Sequence, residues 1–450
     1  MSPTDTKDRA GPARPVALLR VLLVSLAAAA LTAAWGRDAH EVVTREGLSQ
    51  LPPPLVTELD NDPMLAAILS QVMGPDKRVA QLRTEAQRLQ GELDAATGEA
   101  DKKRLGPQAE AAWRRYRQER SKHFFDLDAL TDEPPPYATF PHDHKTAALK
   151  AAEYLLQHKP QEAAELLGED PKNPATRYDP KDRSRWAQLG EAALARHGTL
   201  PWVIRDQVLR LEETFRQGRH DRLAEVIGDL SHYVGDLYQP LHTTQNYDGQ
   251  ATGNRGVHAA FEIYLVIRQK SLEPQRYERL PPQYLSPYDA VEDVPAAVFA
   301  QVGRNAKLAE QIFAADTEAR KRSGATDEDF AYLKTLDREA ADDLFRRKDT
   351  QGLDARQKRL LRHSEELSRI LTEEYDDLPR RAMGVAASMV SSLVYTAWLH
   401  AGRPDPSASG AAAEKDAERP LISWDLVIFG GLAALMLTML LRRRRPPTAR

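Results

Sequence analysis

Two histidines and an aspartate in one short stretch, HYVGDLYQPLH at residues 232–242, have the chemistry of metal ligands. An α-helix places residues i and i+4 on one face, so His232 and Asp236 can bind one ion together. Pro240 cannot continue the hydrogen-bond ladder of a helix, and the helix is therefore predicted to bend or end before His242. Ordinary surface or capping residues are the alternative interpretation, and the stretch by itself leaves both open.

A second pair with the same spacing follows a loop rich in glycine and asparagine. The helix that opens at GVHAAFEIYLV carries His258 and Glu262, again at i and i+4. The chain contains no cysteine, so any metal must be held by histidine, aspartate, glutamate or main-chain groups. Nitrogen and oxygen ligands of this kind suit zinc. The two pairs and His242 together favour a metal site of a kind that zinc accepts, with independent polar residues as the alternative interpretation.

A third motif, WGRDAH at residues 35–40, lies far upstream of these pairs. Together with HYVGDLYQPLH and GVHAAFE it resembles the zinc-dependent phospholipase C / S1-P1 nuclease superfamily. Members of that superfamily are mainly helical and hold three zinc ions in one cleft. Their mature chain starts with tryptophan, and in the nuclease branch a histidine follows five residues later. The resemblance implies a mainly α, multi-helix phospholipase C/P1 nuclease-like domain with three zinc ions as cofactors.

The resemblance also implies a role for each ligand. The α-amino group and carbonyl of Trp35 would bind one zinc ion together with His40, since a metal readily displaces the proton of an α-amine. His232 would bind a second ion, and Asp236 would bridge these two ions. The ligands implied for the third ion are His242, His258 and Glu262.

Two further ligands of the superfamily, an aspartate and a later histidine, are implied by shorter segments. SKHFFDLDAL resembles the histidine segment and indicates His123. GPDKRV resembles the aspartate segment and indicates Asp76, with Asp126 and Asp128 as nearby competitors. Asp76 and Asp236 are the catalytic carboxylates of this assignment.

The segments that must position these ligands are rich in Ala, Leu, Glu, Gln and Arg, which favours helices. The apolar positions predicted to be buried are Ile204, Val208, Leu211 and Phe215 in one helix and Leu223, Ile227, Leu230 and Val234 in the next. Residues 76–122 are predicted to form a helical hairpin inserted between Asp76 and His123. The break between its two helices is predicted at Gly106-Pro107.

The two ends of the chain predict export and a membrane anchor. A basic segment before VLLVSLAAAALTAA indicates a signal peptide cut between Ala34 and Trp35, with an uncleaved anchor helix as the alternative. An apolar run before four arginines indicates a transmembrane helix whose arginines stay in the cytoplasm. The predicted organisation is a signal peptide (1–34), the catalytic domain on the periplasmic or extracellular side (35–401, with the helical insertion 76–122), a flexible linker (402–420), a transmembrane helix (421–441) and a basic cytoplasmic tail (442–450).

The substrate is the least constrained of these predictions. A net charge of −4 gives no general argument for a nucleic-acid binder. Glu262 and the sixteen-residue spacing from His242 to His258 resemble the phospholipase C branch, whereas the spacing from Trp35 to His40 resembles the nuclease branch. The leading prediction is a phospholipase C-like, zinc-dependent phosphodiester hydrolase that uses metal-activated water on phospholipid. The alternatives are an S1/P1-type nuclease for single-stranded nucleic acid with the same trizinc site, and a membrane-anchored binding protein with reduced catalysis.

Overall fold

The structure, a computed structural model, describes residues 36–168 and 185–406. Trp35, the predicted signal peptide, the predicted transmembrane helix (421–441), the basic tail and the linker beyond residue 406 lie outside the described residues. The described part is mainly α, as predicted. It contains no β-strand, only a single bridge between Phe125 and Gly198.

The helices of the described residues vary widely in length. In chain order they are α1 (Gly36–Ser49), α2 (Leu55–Leu59), α3 (Asp62–Gln71), α4 (Gly74–Ala95), α5 (Glu99–Arg120), α6 (His144–His158), α7 (Pro160–Leu166), α8 (Trp186–His197), α9 (Leu200–Arg216), α10 (His220–Tyr238), α11 (Val257–Ala259), α12 (Leu265–Leu272), α13 (Val294–Ser323), α14 (Asp327–Leu333), α15 (Arg338–Arg346), α16 (Ala355–Glu373) and α17 (Leu378–His400). A π-helical turn, Ala260–Tyr264, joins α11 to α12. Short 3₁₀ turns cover Ser121–His123, Leu127–Ala129, Pro240–Thr243, Pro274–Tyr277 and Pro282–Tyr284.

Helix α10 lies at the centre of the helical body, where it packs against α1, α3, α9 and α17. Every residue from Val226 to Tyr238 is buried. The apolar positions predicted for α9 and α10 are all buried, so those two amphipathic stripes are confirmed. Each fully buried leucine or isoleucine of the stripes contributes about 1.5–3 kcal/mol. Polar side chains on a helix that is buried on every side must be paired or bind a ligand, and this applies to the polar side chains of α10.

Helices α4 and α5 pack against each other as a hairpin with a small apolar cluster of its own. The predicted break at Gly106-Pro107 is wrong, because the chain turns at residues 96–98 and α5 runs through Pro107. A proline inside a helix removes one hydrogen bond. Pro107 is exposed, and so is Lys103, whose carbonyl loses its partner, so water can satisfy that carbonyl. The packing of Ala109 and Ala112 against Ala86 holds the helix together on its other face.

Helix α17 is the one helix among the described residues that is long and apolar enough to cross a membrane. In its most apolar 18-residue window, 72% of the residues are buried inside the protein. It packs against α1, α9 and α10. Its apolar character is therefore used in the core of this domain, and it is distinct from the predicted transmembrane helix at residues 421–441.

Candidate metal centre

Eight of the nine predicted metal ligands belong to the described residues, and all eight meet in one region of the structure. They come from separate elements: α1, the first turn of α4, the 3₁₀ turn after α5, α10, the 3₁₀ turn after α10, α11 and the π-helical turn. They form three groups in which the ligand atoms lie within 4.8 Å of one another. The groups are His40, His232 and Asp236; Asp76, His123 and His232; and His242, His258 and Glu262. The ninth predicted ligand, Trp35, lies outside the described residues.

The first group joins α1 to α10. The imidazoles of His40 and His232 stack with their centroids 4.3 Å apart. Asp236 Oδ1 lies 3.6 Å from His40 Nε2, while its other oxygen, Oδ2, lies 3.3 Å from His232 Nε2. The two oxygens of Asp236 thus face different histidines. This arrangement suits a carboxylate that bridges two ions, the role predicted for Asp236.

The second group brings together the two ends of the α4–α5 hairpin. Asp76 Oδ1 lies 3.8 Å from both His123 Nδ1 and His232 Nε2. His123 Nδ1 also lies 3.0 Å from Asp236 Oδ2 and 3.1 Å from His232 Nε2. His232 belongs to the first and second groups alike, so these two groups form one continuous cluster.

The third group sits where the backbone departs from regular α-helix. His258 Nε2 lies 2.7 Å from Glu262 Oε2, and His242 Nε2 lies 3.4 Å from the same oxygen. Glu262 lies within a π-helical turn, not in the regular α-helix that its spacing from His258 predicts. Single π-helical turns inside helices occur frequently at functional sites. The turn keeps the carboxylate of Glu262 facing both imidazoles.

One hydrogen bond orients the imidazole of His242. His242 Nδ1 lies 2.7 Å from the main-chain oxygen of His123, which can only accept, so Nδ1 carries the proton. His242 Nε2 then faces Glu262 and is the ring nitrogen left to bind a metal. A histidine that donates through one ring nitrogen and binds a metal through the other is the common arrangement in metal sites.

The carboxylates and imidazoles of the centre shift one another's pKa. Burial would raise the pKa of the Asp236 carboxyl, but His232, His123 and His242 hold it well below its usual range. Burial would lower the pKa of His232, but the negative charges of Asp236 and Asp76 raise it to about 9. At Asp76 burial dominates and raises the pKa to about 6, against the opposing charges of His232 and His123.

The carboxylate and the imidazoles of the third group also shift one another's pKa. Burial would raise the pKa of Glu262, but His258 and His242 lower it to about 2. Burial would lower the pKa of His242, but Glu262 and Asp236 raise it to about 9. Protonated imidazoles thus balance the buried carboxylates, and a divalent cation could replace those protons.

The buried polar atoms of the centre fit a metal better than they fit each other. Both carboxylate oxygens of Asp76, Oδ1 of Asp236 and Oε1 of Glu262 are buried without a hydrogen-bond partner among the described residues. Nε2 of His123 and Nδ1 of His258 share this property. Each such atom costs about 1–3 kcal/mol when it stays unsatisfied. Hard oxygen donors and imidazole nitrogens together form a donor set that zinc accepts.

Asp126 and Asp128, the sequence alternatives to Asp76 as a ligand, lie outside the three groups. Asp128 Oδ2 accepts a hydrogen bond from Thr244 Oγ1 at 2.7 Å, and its Oδ1 accepts one from the main-chain nitrogen of Gln245 at 2.9 Å. Asp128 therefore fixes the loop after His242. Asp126 lines a cleft next to the centre without joining any of the three groups.

Sequence reasoning missed the residues that support the ligands. Gln239 is fully buried; its Nε2 donates to Glu262 Oε2 at 3.0 Å, and its Oε1 accepts from the Leu241 main chain at 2.7 Å. Gln239 thereby ties the end of α10 to the third group. Its place between Asp236 and Pro240 was the only available signal.

A glycine on α10 makes room for the first group, and this yields a prediction. A Cβ at position 235 would lie 2.5 Å from His40 Nδ1. Since His40 is fully buried and stacked on His232, Gly235→Ala is expected to displace the ring. We expect zinc affinity to fall at least about tenfold. Elemental analysis after dialysis against buffered zinc measures it.

The control for this substitution is Gly91→Ala in α4, where a Cβ meets no atom within 4 Å. That variant is expected to keep its zinc and to gain about 0.5–1 kcal/mol of helix stability. Normal zinc content in Gly235→Ala would show that the position of His40 does not matter for the metal.

A buried network holds the loop that leads to His258. Asn254 Nδ2 donates to Asp316 Oδ2 at 2.8 Å, and His363 Nε2 donates to Asp316 Oδ1 at 2.8 Å. Arg320 Nε donates to Asp316 Oδ2 at 2.6 Å. Asp316 is fully buried on α13, so this carboxylate anchors the Gly/Asn-rich loop to the helical body.

Replacing Asp316 by asparagine is expected to destabilise the fold by about 3–5 kcal/mol, because it removes the buried carboxylate to which both Arg320 and His363 donate. Burial would raise the pKa of Asp316, but His363 and Arg320 hold it below its ordinary value of 3.8. A lowered pKa stabilises the fold above the ordinary value, and this stabilisation is lost as the pH falls through the folded value. Urea unfolding should therefore show a difference between the two proteins that is constant near pH 7 and shrinks below about pH 4.

The matched control is Asp327→Asn, which removes an exposed carboxylate 3.0 Å from the same guanidinium. A change within about 0.5 kcal/mol is expected there. Equal destabilisation by both substitutions would contradict the special role of Asp316.

Comparisons of the chain with family models, with curated proteins and with solved structures return no match. The resemblance to the phospholipase C / S1-P1 nuclease superfamily therefore stays a prediction that rests on the motifs and on the geometry of the centre.

Proposed function

We propose that the protein is a zinc-dependent phosphodiester hydrolase of the phospholipase C type, with a phospholipase C/P1 nuclease-like fold. The observation that carries this proposal is the convergence of all eight predicted ligands of the described residues into three histidine–carboxylate groups in one cluster. Three zinc ions, one for each group, are part of the proposal. When bound, zinc supplies water of lowered pKa and stabilises negative charge on a phosphodiester.

The protein's own residues have distinct tasks in this proposal. Asp236, whose oxygens face His40 and His232, fixes the positions of the first two groups relative to each other. Asp76 lines a cavity of about 410 Å³ together with Gly36. We assign to Asp76 the orientation, by hydrogen bonding, of the water that attacks the phosphodiester there. No serine or cysteine nucleophile is required.

Trp35 belongs to the proposal although it lies outside the described residues. Gly36 directly follows it and lines the same cavity as Asp76 and Glu262. Cleavage between Ala34 and Trp35 would create a free α-amine next to this cavity. The amine and the carbonyl of Trp35 would then complete the ligands of the first group with His40, as the resemblance implies.

The place of action follows from the two ends of the chain. Export by the segment 1–34 and anchoring by the segment 421–441 would hold the catalytic domain outside the cytoplasmic membrane, close to lipid. Phospholipid is therefore the substrate we propose first.

A nuclease for single-stranded nucleic acid is the second candidate, and one observation favours it. Tyr247 is 42% exposed, lines the cleft beside the centre and lies edge-on to His258 at 5.6 Å. An exposed ring beside a phosphate site can stack a base. A binding protein with reduced catalysis would retain the metals without turnover.

The test uses purified protein that begins at Trp35, with its zinc counted by elemental analysis. Phospholipids in mixed micelles and single-stranded DNA are offered as substrates, with and without a chelator. Chelator-sensitive release of a phosphorylated head group supports the phospholipase proposal. Cleavage of DNA alone would favour the nuclease, and bound zinc without turnover on any diester would favour the binding protein.

A further inference from the structure

A cleft of about 600 Å³ opens onto the metal centre. It is lined by His123 of the second group and by His242 and His258 of the third. Its walls are partly apolar, formed by Val79 and Leu241 among others. A substrate whose diester reached the metal ligands would therefore extend part of its structure along these walls.

Arg120 also lines this cleft. It is the last residue of α5 and precedes the ligand His123 by three positions. Its guanidinium lies over the ring of Phe124, 4.9 Å from the ring centroid. Stacking on an aromatic face orients the planar guanidinium and leaves its edge available for hydrogen bonds.

The charge of Arg120 is not matched by a carboxylate within ion-pair distance among the described residues. The other arginine of the cleft, Arg196, differs, since it lies 3.2 Å from both Glu162 and Glu165. Asp126 shares the cleft with Arg120. Burial and the charge of Asp128 raise the pKa of Asp126 well above its usual range, against the opposing charge of Arg120. No ion pair joins Asp126 to Arg120 among the described residues, so the positive charge of Arg120 stays available in the cleft.

We propose that Arg120 binds a second anionic group of the substrate, a carboxylate or phosphate on the head group of an anionic phospholipid. A guanidinium binds such groups through two parallel hydrogen bonds, and partly apolar walls strengthen the attraction. This inference rests on the proposed phosphodiesterase function and adds the substrate class to it. A nucleic acid would need a continuous basic groove and several stacking rings, whereas the lining of this cleft offers one unmatched arginine and one exposed tyrosine.

Phosphatidylserine and phosphatidylethanolamine form a matched pair of substrates, because they differ by one carboxylate on the head group. The experiment compares kcat/KM for the two lipids, diluted in mixed micelles of neutral detergent, with zinc-loaded protein that begins at Trp35. We expect the wild type to prefer phosphatidylserine about tenfold, the contribution of one charge-assisted hydrogen-bonded pair. Arg120→Gln should bring this ratio close to one, and Arg120→Lys should retain part of it, because lysine keeps the charge without the planar fork.

Arg117→Gln is the control variant, since Arg117 is exposed one turn earlier on α5 and its loss changes the net charge equally. It should keep the full preference, which excludes a general attraction of the protein to anionic micelles. Hydrolysis of bis(4-nitrophenyl) phosphate, which has no second charge, and the zinc content should both be unchanged in Arg117→Gln.

The possible outcomes separate this inference from the proposed function. Hydrolysis of bis(4-nitrophenyl) phosphate with no preference between the two lipids would overturn the role of Arg120 and leave the phosphodiesterase in place. Loss of DNA cleavage in Arg120→Gln, with a lipid ratio near one in the wild type, would show that the second anion is a nucleotide phosphate and that the lipid assignment is wrong. A protein that hydrolyses none of these diesters would overturn the proposed function and this inference with it.

Discussion

Replacement of Asp236 by asparagine is expected to remove bound zinc and phosphodiesterase activity together. Its two oxygens face His40 on one side and His232 on the other, within a fully buried cluster. An amide offers one weaker oxygen donor in place of two and cannot balance the charge of two cations. Removal of a group that only hydrogen-bonds to a metal ligand costs roughly ten- to hundredfold in activity. We expect Asp236→Asn to lose more turnover than this, because Asp236 is itself a predicted ligand. Elemental analysis and hydrolysis of bis(4-nitrophenyl) phosphate measure the two quantities on the same sample.

Asp128→Asn is the matched control, because it makes the same chemical change at a largely buried carboxylate outside the three groups. Asp128 accepts its hydrogen bonds from Thr244 and Gln245, and an asparagine oxygen can keep one of them. This variant should retain its zinc and most of its activity. Equal zinc content in Asp236→Asn and the wild type would refute the bridging role, provided that circular dichroism shows both proteins folded.

A free α-amine on Trp35 is expected to have the second large effect on zinc binding and turnover. Two proteins should be compared that differ by one residue, one beginning at Trp35 and one carrying a single alanine before it. An amide nitrogen is a poor metal ligand, whereas an α-amine, with a pKa of about 8, gives up its proton to a metal readily. The extended protein should bind less zinc and lose at least about tenfold in turnover.

A second pair of proteins controls for the extra residue itself. In a background of His40→Ala, where the first group is already incomplete, the added alanine should have little further effect because both changes act on the same ion. An extended protein that is as active and as rich in zinc as the one beginning at Trp35 would contradict the assignment of Trp35 as a ligand.

Much of the local architecture could be predicted from the residues alone. The apolar stripes of α9 and α10 are buried as expected, since a period of 3.6 residues is a property of the helical backbone. The pairing of His232 with Asp236 follows from the same geometry. The position of the turn in the α4–α5 hairpin could not be predicted in this way. A proline on an exposed face costs only part of what the packing on the other face contributes, and Gly106-Pro107 stays helical for that reason.

The choice of Asp76 over Asp126 and Asp128 lies beyond what spacing can decide. Asp76 and His123 are separated by the whole hairpin and approach each other only because α5 folds back along α4. The π-helical turn at Glu262 is likewise invisible in the sequence, where its spacing from His258 matches an ordinary helix. Backbone geometry acts over a few residues, so the sequence by itself determined the helices and the ligand pairs within them. Which distant pairs meet depends on how the whole chain packs, so only the tertiary structure decided that the pairs form one centre and that Arg120 faces the cleft beside it.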